Sequence, residues 1–185
     1  FPTRRSSDLG CVPSAEVEIF KRSLSNIAHR GPDGEGMWIS SDNQIALGHR
    51  RLSIIDTSDM AVQPMHYLDR FVITFNGEIY NFIELRKELE KLGHKFRTQS
   101  DTEVVLAAYC EWKEECLLKF NGMWAFAIWD KNEKRLFLSR DRFGVKPLFY
   151  SKNDKRFAFG SEMKALYPFL ERVEQSEDFE WCNKH

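Results

Sequence analysis

Phe71-Val72-Ile73-Thr74-Phe75-Asn76-Gly77-Glu78-Ile79-Tyr80-Asn81 runs from apolar, β-branched and aromatic residues into an amide, a glycine and a carboxylate. The first five residues suit a pleated, buried strand. Gly77 has no side chain to keep a ligand from its backbone N–H, and the Asn76 amide offers a second donor beside it. Two such donors aimed at one point form an oxyanion hole. Glu78, next to them, is placed to hold a cationic group of the same ligand. An Asn-Gly pair is also the preferred centre of a two-residue hairpin turn, so the rest of the chain must decide.

The chain has 185 residues, 42% apolar and 14% aromatic, with 15 Phe and 5 Trp. That is enough for one hydrophobic core and one domain. The net charge is −1 with both signs interspersed, so no basic face recommends nucleic acid as a partner. No apolar run approaches the roughly eighteen residues of a membrane span. Cys11, Cys110, Cys116 and Cys182 form no CxxC pair and match no zinc spacing. Without a secretory signal they read as free thiols in a reducing compartment, which makes the protein cytoplasmic and free of a structural metal.

Residues 1–13 read as a leader outside the domain: 1–9 carry no periodicity, no initiating Met and no signal-peptide core. They suit a foreign or disordered end. A helix starts at Pro13-Ser14, buries Val17, Phe20, Leu24, Ile27 and Ala28, and stops near His29-Arg30 ahead of Gly31-Pro32. Strands are expected over 37–39, 45–48 and 52–55, with the cationic His49-Arg50-Arg51 among them, and a loop over 56–69. Beyond the opening strand, a helix runs from about Asn81, as N-cap, to Leu92, ahead of Gly93. A short strand over 95–97 leads to Ser100-Asp101-Thr102-Glu103, a capping box that opens a second helix reaching Trp112. Asp101 is there a first-turn carboxylate favoured by the helix dipole. From Gly122 four strands are expected, at 123–129, 135–139, 147–151 and 156–160, joined by turns of hairpin composition and followed by a short helix over 162–166. The run 123–129 is apolar on both faces, which calls for helices on one side and a second sheet on the other. Residues 171–185 are polar and read as a linker, leaving 14–170 as the domain.

Five motifs stand in order: His29-Arg30-Gly31-Pro32-Asp33, Arg51-Leu52-Ser53-Ile54-Ile55-Asp56, Asn76-Gly77-Glu78-Ile79-Tyr80-Asn81, Ser100-Asp101-Thr102-Glu103 and Asp141-Arg142-Phe143-Gly144-Val145-Lys146-Pro147-Leu148. Together they resemble the class II glutamine amidotransferase domain of glutamine-hydrolysing asparagine synthetases. The resemblance implies an α+β fold of the N-terminal-nucleophile hydrolase type, a four-layer αββα sandwich of two antiparallel sheets. It implies L-glutamine as ligand, with Arg51 on the α-carboxylate, Glu78 and Asp101 on the α-ammonium, and backbone groups of Leu52, Ile54 and Ile55 lining the pocket. Asn76 and Gly77 become the oxyanion hole. A cysteine at the mature N-terminus, activated by its own α-amine, is the implied nucleophile. No cofactor is implied in this domain; ATP and Mg²⁺ belong to a synthetase domain of the same native chain, which is also the implied partner, with a homodimer as a further expectation.

The sequence departs from that pattern at its start. No cysteine stands where the nucleophile belongs, and Cys11 lies too close to the first helix and has no free α-amine of its own. No Gly-rich phosphate loop occurs in the 185 residues. The literal chain is therefore expected to be inactive. The alternatives are the ammonia-producing part of an asparagine synthetase, a non-catalytic glutamine-binding or regulatory module, and a secondary-metabolite synthetase that reuses the domain.

Overall fold

The computed structural model describes residues 14–32, 34–51, 62–154 and 156–170. At its centre is β4 (Phe71–Ile79), paired on one side with β3 (Met65–Tyr67) and on the other with β5 (Gly122–Asp130), which in turn pairs with β6 (Arg135–Arg140). All three pairings are antiparallel. Side chains alternate along a strand, so Phe71, Ile73, Phe75 and Ile79 face α2 (Phe82–Lys91) and α3 (Asp101–Trp112) in one continuous core. Helix α3 is buried from Thr102 to Tyr109, so no solvent-facing stripe survives in its middle. Truncating its fully buried Leu106 to alanine would cost about 2–5 kcal/mol.

The opposite face of this sheet meets a second β layer. Val72 packs with Leu47 and Trp129, and Thr74 Oγ1 donates to the Gly48 carbonyl at 3.1 Å. Among the described residues that layer consists of two antiparallel ribbons, β1 (Gly34–Ile39) with β2 (Ala46–Arg51) and β7 (Phe149–Lys152) with β8 (Phe157–Gly160). Outside it lie α1 (Ser14–Asn26) and α4 (Met163–Leu166). The Arg50 guanidinium donates to the Leu24 carbonyl and pairs with Glu35, and Ser23 Oγ donates to the Ala165 carbonyl. The layering is helix, sheet, sheet, helix. Among the described residues no helix is long and apolar enough to cross a membrane.

Several local expectations change. His49-Arg50-Arg51 is part of β2 itself. The expected loop over 56–69 contains β3, a three-residue strand whose alternation is too short to read. No strand forms over 95–97; the buried Glu103 carboxylate instead accepts the N–H groups of Arg97 and Thr98 and the Thr98 hydroxyl. The capping box is thus half made. Ser100 caps α3 by accepting from Thr102 N, while Glu103 reaches back past Ser100. Asn81 precedes α2 without capping it, because its amide bridges the Lys119 carbonyl and the Asn121 N–H. The 141–144 joint is no hairpin, since β6 and β7 lie in different sheets. The buried Asp141 carboxylate gathers the N–H groups of Trp124, Phe143, Val145 and Lys146 and shapes that loop. Residues 1–13, 52–61 and 171–185, and with them the leader, the linker, the 52–55 strand, Leu52, Ile54 and Ile55, lie outside the described residues.

Candidate active site

Between the two β layers lies a cavity of about 920 Å³. The even-numbered residues of β4 that face the second layer supply its wall: Thr74, Asn76 and Glu78, with Gly77 between the last two. Asp101 reaches the same cavity from the first residue of α3. The structure therefore brings four of the expected site residues, Asn76, Gly77, Glu78 and Asp101, to one surface. Arg51 is described through its backbone at the end of β2, opposite Gly34. Leu52, Ile54 and Ile55 are outside the described residues.

Asn76-Gly77 is not a hairpin turn. Both residues are inside β4 and paired to β5, Asn76 with Ala125 and Gly77 with Trp124. A Cβ on Gly77 would stand 2.3 Å from the Met123 carbonyl oxygen and 2.8 Å from Trp124 Cα, so the glycine is fixed by how closely β5 approaches. In an antiparallel ladder, successive N–H groups point alternately to the two neighbours. Tyr80 N–H donates to Asn121, on the β5 side, while Phe75 and Ile79 donate to side chains on the other side. By that alternation Gly77 N–H points away from β5.

Asn76 Nδ2 lies 3.4 Å from Ser161 Oγ. An amide nitrogen carries two hydrogens, so one remains for a ligand beside Gly77 N–H. Asp101 Oδ2 accepts the Ile79 N–H at 3.0 Å. Burial pushes the Asp101 carboxyl above its usual range of about 3.8; the Ile79 and Thr102 N–H groups oppose that shift, and the neighbouring Glu78 charge adds to it. Two carboxylates that repel each other at a cavity wall suit a cation between them.

Sequence reasoning missed three neighbours. Gln63, at the cavity wall, holds both backbone groups of Phe75, with its Oε1 accepting the N–H at 2.6 Å and its Nε2 donating to the carbonyl at 3.1 Å. Ser161 touches Asn76. Glu162 ties His29, Arg30 and Lys164 together. Burial works against its charge, yet Arg30, Lys164 and His29 prevail and hold its pKa at about 2. Arg30 also borders the cavity.

With this geometry in place, likeness to known proteins can be set beside it. Residues 9–180 match the glutamine amidotransferase domain family. The chain belongs to that family. This amidotransferase domain is 44% identical over 154 residues to asparagine synthetase [glutamine-hydrolyzing] 3 of Bacillus subtilis and 49% identical over 152 residues to asparagine synthetase [glutamine-hydrolyzing] 1 of the same organism. The matches cover 82% of the chain but only 25% and 24% of those proteins; the chain spans about a quarter of the length of these relatives. The amidotransferase domain is also 36% identical over 167 residues to the amidase chry2 of Gibberella zeae, covering 90% of the chain and 24% of that protein. Among solved structures it resembles the glutamine phosphoribosylpyrophosphate amidotransferase of B. subtilis in complex with ADP and GMP, with a TM-score of 0.68, 22% identity, and coverage of 81% and 40% of the two chains. At that identity the likeness speaks for the fold, and the α+β sandwich of stacked antiparallel sheets is common to both.

Proposed function

We propose that this domain binds free L-glutamine and, within a longer synthetase, releases its side-chain nitrogen as ammonia for the ATP-dependent conversion of aspartate to asparagine. The observation that carries the reading is the wall of β4: an amide, a backbone N–H and a carboxylate in consecutive residues, with the Asp101 carboxylate at the same cavity. Glutamine is a zwitterion with an amide at its far end. Glu78 and Asp101 take the α-ammonium, and Arg51 takes the α-carboxylate with the forked donors that suit it. Asn76 and Gly77 meet the side-chain carbonyl oxygen. A thiolate attacking that carbon makes a tetrahedral oxyanion held by those two donors; ammonia leaves with a proton, and water frees glutamate from the thioester. Leu52, Ile54 and Ile55 complete the pocket in this reading. The relatives named for glutamine-hydrolysing asparagine synthesis support the acceptor chemistry, and ATP and Mg²⁺ belong to the synthetase portion of such a protein.

The runner-up reading is a glutamine-binding module without catalysis. Calorimetry and ammonia release separate the two. The 185-residue chain should bind L-glutamine, but neither glutaramate, which lacks the ammonium, nor 4-aminobutanamide, which lacks the carboxylate. A version in which a Cys-Gly start replaces residues 1–13 should also release ammonia. Glutamine binding without ammonia release from that version would favour the binding module, and no binding at all would refute both.

A further inference from the structure

The outer edge of β4 raises a problem that the fold solves with side chains. β3 covers that edge only as far as Ile73, which pairs with Met65. Beyond it, Phe75, Gly77 and Ile79 present their backbone groups to an edge with no β3 partner. Such a row of unpaired N–H and C=O groups ordinarily recruits another strand. Here the Gln63 amide supplies one acceptor and one donor to Phe75, which is what a paired strand residue supplies. At the far end Asp101 caps the Ile79 N–H. Between those two caps, among the described residues, no side chain takes the Gly77 N–H.

Gln63 is itself wedged in place. A Cβ on Gly36 of β1 would lie 1.8 Å from the Gln63 carbonyl oxygen, so β1 has a glycine where the Gln63 backbone presses against it. The amide thus works from a fixed base, between the second β layer and β4.

We propose that Gln63 is a positioning residue: by closing the β4 edge at Phe75 it leaves the Gly77 N–H as the backbone donor presented to the substrate's side-chain carbonyl. The proposal rests on the glutamine reading above and adds the device that aims its backbone donor. Gly77 cannot be tested directly, because any side chain there strikes the β5 backbone. The test therefore goes through Gln63.

The variants are Gln63→Met, which keeps length and volume but loses both hydrogen bonds, and Gln63→Glu, which keeps the acceptor for Phe75 N–H. In ¹H–¹⁵N spectra of the 185-residue chain, L-glutamine should shift the Gly77 amide, while the Phe75 and Ile79 amides stay protected from exchange. In Gln63→Met the Phe75 amide should lose at least about tenfold of its protection, and the Gly77 response should shrink while glutamine affinity stays within about threefold. Gln63→Glu should restore most of both, and it keeps the test decisive if the Met variant does not fold. In the version with a Cys-Gly start, Gln63→Met should lower kcat about tenfold with KM little changed, as expected for a displaced transition-state donor. A structural staple alone would not divide kcat from KM in this way. A wild-type Gly77 response that persists unchanged in Gln63→Met, or a raised KM with kcat intact, overturns the proposal alone. No glutamine response in the wild-type chain overturns the glutamine reading, and the proposal with it.

Discussion

Asp101 accepts the N–H of Ile79 at 3.0 Å, and this bond pins the first turn of α3 to the end of β4. It makes Asp101 a structural cap at the cavity wall, and in the proposed glutamine reading the same carboxylate also meets the α-ammonium. The carboxylate is half-buried and its pKa is raised, first by burial. A carboxyl group raised in the folded state costs stability while ionised, and the cost is relieved as pH falls through the raised pKa. Asp101→Asn keeps a carbonyl for Ile79 and removes the buried charge. Its melting temperature at pH 7 should therefore be equal to or above that of the parent. Glutamine affinity should fall by about ten- to a hundredfold, the range of a lost hydrogen bond to a charged group. Unchanged affinity in calorimetry would remove Asp101 from the ligand.

The same carboxyl should link binding to protons. An α-ammonium beside Asp101 stabilises its ionised form and lowers its pKa, so binding displaces a proton wherever the free group is still partly protonated. Affinity should rise with pH up to the raised pKa of the free carboxyl, which lies above the ordinary value of 3.8, and level off once Asp101 is fully ionised. Calorimetry in two buffers of different ionisation enthalpy reads the proton directly. Equal heats at the acidic end would show that the cation sits elsewhere.

Asn76 and Ser161 should behave as a coupled pair. In the version with a Cys-Gly start, Asn76→Ala should reduce kcat by about a hundredfold or more, the usual loss for one oxyanion donor. Ser161→Ala should cost less, because it frees the Asn76 amide to turn without removing it. The double variant should be no worse than Asn76→Ala, since the hydroxyl acts only through the amide. Additive losses would mean that Ser161 acts independently.

Patterns with a local cause were legible in the sequence. The apolar run of β4 and the Ser100 cap each follow from residues near one another and appear in the structure, whereas α1 keeps Val17, Phe20 and Leu24 of its expected stripe but stops at Asn26, ahead of Ile27 and Ala28. The motifs also foretold that Asn76, Gly77, Glu78 and Asp101 share one cavity. What stayed hidden depends on distant partners. Gln63 acts as a strand residue through its side chain, which no alternation reveals. Glu103 looked like a capping-box partner because its spacing fits, but the buried Thr98 turn competes for it and wins with three hydrogen bonds. The 95–97 segment reads as a strand by composition, yet its Arg97 N–H is already taken by that carboxylate.

The loop after β6 should depend on one carboxylate. Asp141 is 5% exposed and accepts from four backbone N–H groups. Burial opposes its charge, but those N–H groups prevail and its pKa is lowered. Asp141→Ala removes the acceptor of the buried Trp124 N–H and of three part-buried N–H groups, and should destabilise the fold by about 1–3 kcal/mol, the cost of one buried donor left unsatisfied. Urea denaturation measures it. A loss below about 1 kcal/mol would mean that water replaces the carboxylate at little cost.

Glu162 gives the sharpest pH signature. Its pKa is pulled from 4.5 to about 2 because Arg30, Lys164 and His29 outweigh the burial that opposes its charge. A carboxyl group lowered on folding contributes stability that is fully present above its unfolded value and fades as pH falls toward the folded one. Glu162→Gln lacks that contribution at every pH. The variant should thus melt below the parent at pH 7, and the gap should narrow between pH 4.5 and about 2. Because Arg30 borders the cavity, the variant also loosens a cation at the site, and glutamine affinity at pH 7 should change with it. A gap in melting temperature that stays constant across that acid window would show that the charge of Glu162 does not hold the His29-Arg30 turn, and that packing alone does.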